Sequence, residues 1–82
     1  MYYVYILECS DGTLYTGWTV HMEKRLEKHN TGTGAKYTRG RHPVVLKYLE
    51  TYTSKTAALQ REYEIKRLPR ADKVILIAQP SG

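Results

Sequence analysis

Five polar side chains of the 82-residue sequence are of types that could together break a phosphodiester: Tyr5, Tyr15, Arg25, His29 and Glu62. A phenol titrating near pH ~10 is a poor base unless a nearby cation favours the phenolate or another base relays its proton. Arg25 or His29 could supply that help. An arginine also neutralises a phosphate in flight, and a single carboxylate can hold a magnesium ion whose other ligands are waters and substrate oxygens. Competing chemistries lack their residues. There is no Gly-x-x-x-x-Gly-Lys-Ser/Thr or Gly-x-Gly-x-x-Gly run, and neither Ser10 nor Ser54 lies in a Gly-x-Ser-x-Gly setting. With Glu62 the only carboxylate expected on the inner face, a two-metal cluster bridged by acidic residues has no support, and one ion, Mg²⁺ or Mn²⁺, is the expectation.

For these groups to meet, the elements carrying them must be arranged correctly. Residues 3–18 read as a hairpin: two runs of tyrosine, β-branched and apolar residues flank Ser10, Asp11 and Gly12. If Asp11-Gly12 is a two-residue turn, Tyr15 lies opposite Glu8 and on the other face from Tyr5. If Ser10-Asp11-Gly12 is a three-residue loop with a bulge at Gly12, Tyr15 faces Leu7 and Gly17 faces Tyr5. Then Tyr3, Tyr5 and Tyr15 share one face, with open space at Gly17. A type I turn followed by left-handed glycine suits Ser-Asp-Gly, which favours the second register.

Residues 19–30 read as a helix with Met22 and Leu26 on its packed stripe and Gly32 as its stop; Arg25 and His29, also four apart, border that stripe. A snorkelling arginine and a half-buried histidine would look the same. The segment 31–42 is rich in glycine and carries Lys36, Arg39 and Arg41 without a carboxylate, a combination suited to phosphate oxygens, with Tyr37 as a stacking surface. A flexible basic loop accounts for it equally well. Residues 44–52 form a third strand, and helices follow at 54–68 and 69–78. In the first of these Ala58, Glu62 and Ile65 share a stripe. Glu62 among apolar neighbours needs a cation or a metal, and a structural ion pair with Arg25 is the plain alternative.

The whole is one α+β domain, sandwich-like: a small three-stranded antiparallel sheet flanked by helices in the order β-β-α-β-α-α, with its core at 2–68 and a terminal helix at 69–78. A chain this short buries only ~60–65% of its unfolded surface. The one cysteine, Cys9, makes no internal disulfide and reads as a small packed side chain. No apolar run crosses a bilayer and no leader pattern opens the sequence, so a cytoplasmic protein without a membrane partner is expected. The net charge of +5 suits an anionic partner such as nucleic acid.

The sequence resembles the GIY-YIG nuclease domain. Tyr3-Val4-Tyr5 stands where that family has Gly-Ile-Tyr, and Tyr15-Thr16-Gly17 where it has Tyr-Ile-Gly. Arg25 falls ten residues after Tyr15, His29 follows one turn later, and Ala58-Leu59-Gln60-Arg61-Glu62 is similar to the segment bearing the family glutamate. The likeness is greatest to the small stand-alone bacterial YhbQ-like members and to the nuclease domain of the Slx-type endonuclease, the latter supported by His29-Asn30, Gly34-Ala35, Thr38 and Pro43. It implies that Glu62 binds a divalent ion, Arg25 contacts the scissile phosphate, Tyr15 or Tyr5 activates water, and His29 assists or holds a tyrosine. Gly17, Lys36, Tyr37, Arg39 and Arg41 are the expected nucleic-acid contacts. Val4, Thr16, Tyr3 and Trp18 differ from the family pattern.

Three readings follow. The chain is a metal-dependent DNA endonuclease, a nucleic-acid-binding module with little activity, or a protein-interaction module presenting Val74, Ile75 and Leu76. The last carries with it a protein partner or a weak homodimer.

Overall fold

The computed structural model describes residues 1–32, 38 and 40–79. Its elements are β1 (Tyr2–Glu8), β2 (Leu14–Thr19), α1 (Met22–Asn30), β3 (Val45–Tyr52), α2 (Lys55–Lys66) and α3 (Arg70–Ala78). The order β-β-α-β-α-α is the expected one, and all three strands form one antiparallel sheet in the spatial order β2-β1-β3. The hairpin adopts the three-residue register. Cys9 N donates to Thr13 O at 2.8 Å and Gly12 N to Cys9 O at 2.9 Å, while Gly12 takes φ +82°. Asp11 Oδ1 accepts from Thr13 N and Thr13 Oγ1, which rigidifies the loop. Tyr5 therefore pairs with Gly17 and Leu7 with Tyr15, so both phenols project from the same face.

The two faces carry different layers. Tyr5, Leu7, Cys9 and Val44 are packed by Met22 and Leu26 of α1. On the opposite face Val4 and Ile6 meet Ala58 and Ile65 of α2, with Leu76 and Ile77 of α3. The middle of β1, Val4 to Leu7, is buried on both faces, which explains its run of residues without polar alternation. A register shift between Ile6 and Leu7 in the β1–β3 pairing sets Leu46 against Leu7 and Tyr48 against Ile6. Leu46 thus joins the α1 layer, while Tyr48 and Tyr52 join the α2 layer.

Helix α1 starts at Met22, later than the residues 19–30 anticipated, because Thr19 still pairs with Tyr3 in the sheet. Ser54 caps α2 as expected, accepting from Ala57 N at 3.3 Å. Pro69 is the N-cap of α3 and so lies just outside it. Val74 and Ile75 are exposed on α3, whereas Leu76 packs into the core, so only part of the anticipated apolar surface is available. No helix among the described residues is long and apolar enough to cross a membrane.

An ion-pair network between β3 and α2 had no sequence signal. Arg61 Nε lies 2.9 Å from Glu50 Oε1, Arg61 Nη2 donates to Glu50 Oε2 at 3.1 Å, and the hydroxyls of Tyr48 and Tyr52 donate to the same carboxylate. The bidentate guanidinium holds Glu50 below the usual carboxylate range against the opposing effect of burial, and Tyr52 is pushed up to about 12 by burial and the adjacent Glu50. Glu50→Ala leaves a partly buried guanidinium and two phenols without their acceptor. It is expected to cost about 2–3 kcal/mol in urea unfolding, less than a fully buried pair would. A loss under ~0.5 kcal/mol would show the network to be no more than a surface contact.

Candidate active site

Gly17 seats the Tyr5 phenol. A Cβ on Gly17 would lie 2.5 Å from Tyr5 Oη and 3.1 Å from Tyr15 Cε2. The space anticipated beside Gly17 is therefore filled by Tyr5. Gly17 is itself buried, so it admits the phenol and is not a surface for nucleic acid.

Three groups converge on that phenol. Tyr5 Oη is 3.1 Å from His29 Nε2, Arg25 Nε donates to Tyr5 Oη at 3.4 Å, and His29 Nδ1 is 2.7 Å from Thr38 Oγ1. Tyr15 closes the group, its ring centroid 5.4 Å from His29 and 6.4 Å from Tyr5. The four-residue spacing of Arg25 and His29 puts both on the side of α1 that faces the sheet. Asn30 secures the returning chain: its side chain accepts from Val44 N at 2.5 Å and donates to Val44 O at 3.3 Å, as a strand partner would.

Burial separates the two tyrosines. Tyr5, His29 and Thr38 are each 0% exposed, whereas Tyr15 and Arg25 are half-buried. Burial raises the Tyr5 phenol above its ordinary value, Arg25 opposes this, and the charges of Tyr15 and Glu62 add to it. Arg25 is held firmly charged, first by its hydrogen bond to Tyr5 and then by Tyr15. His29 is lowered to about 4 by desolvation and by Arg25, so it is neutral at pH 7. Neutral His29 accepting from Tyr5 and donating to Thr38, with Arg25 donating to Tyr5, leaves every member of the chain satisfied.

The lowered His29 has a measurable consequence. The unfolded chain takes up this proton near pH 6.5 and the folded chain only near about 4. The His29 contribution to stability is therefore complete above pH ~6.5 and is lost as the pH falls towards ~4, by up to ~1.4 kcal/mol per pH unit. Urea unfolding at pH 7, 5.5 and 4 should show this slope and His29→Gln should flatten it. Assignment of a titration near pH 6.5 to the His29 imidazole in NMR spectra of the folded protein would contradict it.

Glu62 lies on α2, whose Ala58 and Ile65 pack on the sheet face opposite Tyr5, so the single inner face anticipated for all the polar residues is replaced by two layers, with the Glu62 charge acting on Tyr5 without a direct contact. Its carboxylate is 16% exposed and pairs with Lys66 Nζ at 3.5 Å, not with Arg25. One hard carboxylate oxygen pair, reachable from solvent and only loosely paired, fits an ion that draws most of its ligands from water and substrate. Among the described residues no group of three or more His, Cys, Asp and Glu forms a protein cage for a metal.

Of the other expected contacts, Lys36, Tyr37 and Arg39 lie outside the described residues. Arg41 packs on the hairpin loop, with Nη1 3.1 Å from Asp11 Oδ2 and 3.3 Å from Thr13 Oγ1, and its carbonyl accepts from Ser10 N at 2.8 Å. It therefore braces the hairpin. Thr38 enters the sequence reading only as part of the family likeness; its contact with His29 has no sequence signal.

Tyr5 thus gathers the arginine and histidine of one helix at its hydroxyl, and residues 1–74 match the GIY-YIG catalytic domain. The chain belongs to the GIY-YIG family. Its relatives are small UPF0213 proteins. That of Natronomonas pharaonis is 56% identical over 81 residues, covering 99% of this chain and 95% of the relative. That of Clostridium perfringens is 57% identical over 81 residues, covering 99% and 87%. The solution NMR structure of a UPF0213 protein from Bacillus halodurans superimposes with a TM-score of 0.63 at 49% identity, covering 95% of this chain and 84% of that one. The family membership indicates a nuclease domain that binds nucleic acid, in a family that generally uses divalent metals.

Proposed function

We propose that this protein is a divalent-metal-dependent endonuclease that hydrolyses DNA phosphodiesters at branches, flaps or ends, in the service of repair or recombination. The observation that carries this reading is the charged Arg25 held between a buried and an accessible phenol. Arg25 binds and orients the scissile phosphate, and its charge offsets that of the pentacovalent state. Tyr15, half-buried and so nearer solvent than Tyr5, takes the proton of the attacking water. Tyr5, too enclosed to meet water, holds Arg25 in place, and His29 and Thr38 hold Tyr5. Glu62 would hold one Mg²⁺ or Mn²⁺, which when bound supplies Lewis-acid stabilisation of phosphate charge.

Recognition of shape is favoured over a long sequence. Sequence-specific DNA interfaces commonly take ~1,000 Å² or more of protein, a large share of the 5344 Å² available here. The test is incubation with flapped, branched and single-stranded DNA in Mg²⁺, Mn²⁺ or EDTA, together with a salt titration of binding. Cleavage of a branched substrate that stops in EDTA is the expected result. Binding is expected to weaken with salt at a slope of about −0.9 per phosphate neutralised on duplex DNA. Salt-dependent binding without cleavage in either metal would leave a binding module in place of an enzyme.

A further inference from the structure

Two open grooves run along α1 away from the Tyr5 site, and they share His21 and Lys24. The smaller, of about 180 Å³, begins at Arg25 and is walled by Thr19 and Lys28. The larger, of about 500 Å³, has an apolar floor of Tyr3, Met22 and Leu49. That floor exists because α1 covers only part of its sheet face. Tyr3 lies on the same face as Tyr5, and Leu49 pairs directly with Tyr5 from β3, yet Leu49 is 40% exposed.

The charge changes along this path. Cations dominate the end that includes Arg25, and the carboxylate of the grooves, Glu23, lines only the apolar end. An occupant with an anionic link at the Arg25 end and a flat uncharged group at the Tyr3 end matches both halves. A nucleotide has that form, and the larger groove lies in the size range of small-ligand sites. Tyr3 offers an aromatic ring against which a base can pack, and Leu49 and Met22 offer apolar contacts.

Resting on the nuclease reading, we infer that the Tyr3–Met22–Leu49 groove receives the base of an unpaired nucleotide one step beyond the scissile phosphate, with the intervening phosphate crossing His21, Lys24 and Lys28. The site thereby selects DNA whose strand leaves the duplex beside the cut. A fully paired base cannot enter the groove, so the inference supplies a physical basis for preferring branches and flaps.

The test uses fluorescence anisotropy in EDTA, where cutting is absent, with flap DNA carrying one abasic residue at successive positions of the unpaired arm. For the wild type, one position close to the branch is expected to weaken binding about tenfold, and the others to have little effect. Tyr3→Ala should lose a similar factor on the intact arm and cease to sense that position. Leu49→Glu, at a position 40% exposed, should do the same while retaining the wild-type circular dichroism spectrum. Equal binding of every abasic arm, with Leu49→Glu unchanged, overturns the inference and leaves the nuclease reading standing. Absence of salt-sensitive binding to any DNA overturns both.

Discussion

Gly17→Ala is expected to lose about 2–3 kcal/mol of stability and at least ~10²-fold in cleavage rate. The added methyl would sit 2.5 Å from Tyr5 Oη and 2.7 Å from Tyr5 Cζ, well inside contact distance. A flexible side-chain end often swings away from such an intrusion. Tyr5 cannot, because it is fully buried and its hydroxyl is held by His29 and Arg25. At ~4–8 °C per kcal/mol for a domain of this size, thermal unfolding should move down by roughly 10–20 °C. Adding Tyr5→Phe removes the closest atom, so the double variant should lose less stability than the sum of the single changes. An unchanged midpoint for Gly17→Ala would mean that the phenol is free to move and that the seat has no structural role.

The two tyrosines should separate cleanly when each loses its hydroxyl. Tyr15→Phe removes the proposed proton acceptor and is expected to lower the single-turnover rate ~10²–10³-fold while leaving DNA affinity and stability nearly unchanged. Tyr5→Phe removes a support: His29 Nε2 and Arg25 Nε lose a partner that lies 3.1 Å and 3.4 Å away, respectively. Its expected signature is a loss of ~1–2 kcal/mol in unfolding and a smaller loss of rate. Reversed signatures would transfer the proton-accepting role to Tyr5 and require the buried site to open during turnover.

Much of this arrangement is legible without coordinates. Ser10-Asp11-Gly12 specifies a three-residue loop through its turn chemistry, and that loop alone decides that Tyr5 and Tyr15 share a face. The spacing of Arg25 and His29 likewise carries over directly, because helical neighbours four apart share a side. What stays hidden is non-local. His29 meets Thr38 only because the chain returns past the end of α1, and no periodicity encodes such a return. Glu50 has no partner that spacing reveals, because Arg61 reaches it only when α2 packs on the sheet face it shares with Tyr48 and Tyr52. The layer occupied by Glu62 is hidden for a similar reason: a helical stripe identifies the packed side of α2 but not the sheet face on which it packs. Which tyrosine is sealed from water also depends on how far a nine-residue helix extends over the sheet, a matter of tertiary placement.

The nuclease reading joins these layers into one site, with Glu62 supplying from α2 what the α1 side lacks. Its most direct test is cleavage of flap and branched DNA by purified wild type and Glu62→Gln, side by side, across Mg²⁺ and Mn²⁺ titrations. The wild type should cut with a saturable dependence on the ion. Glu62→Gln, of equal shape and intact fold, should bind the same DNA and cut it ~10³-fold more slowly, the scale of several kcal/mol of lost charge stabilisation. Equal cleavage by the two proteins, or none by the wild type in either Mg²⁺ or Mn²⁺, would contradict the account.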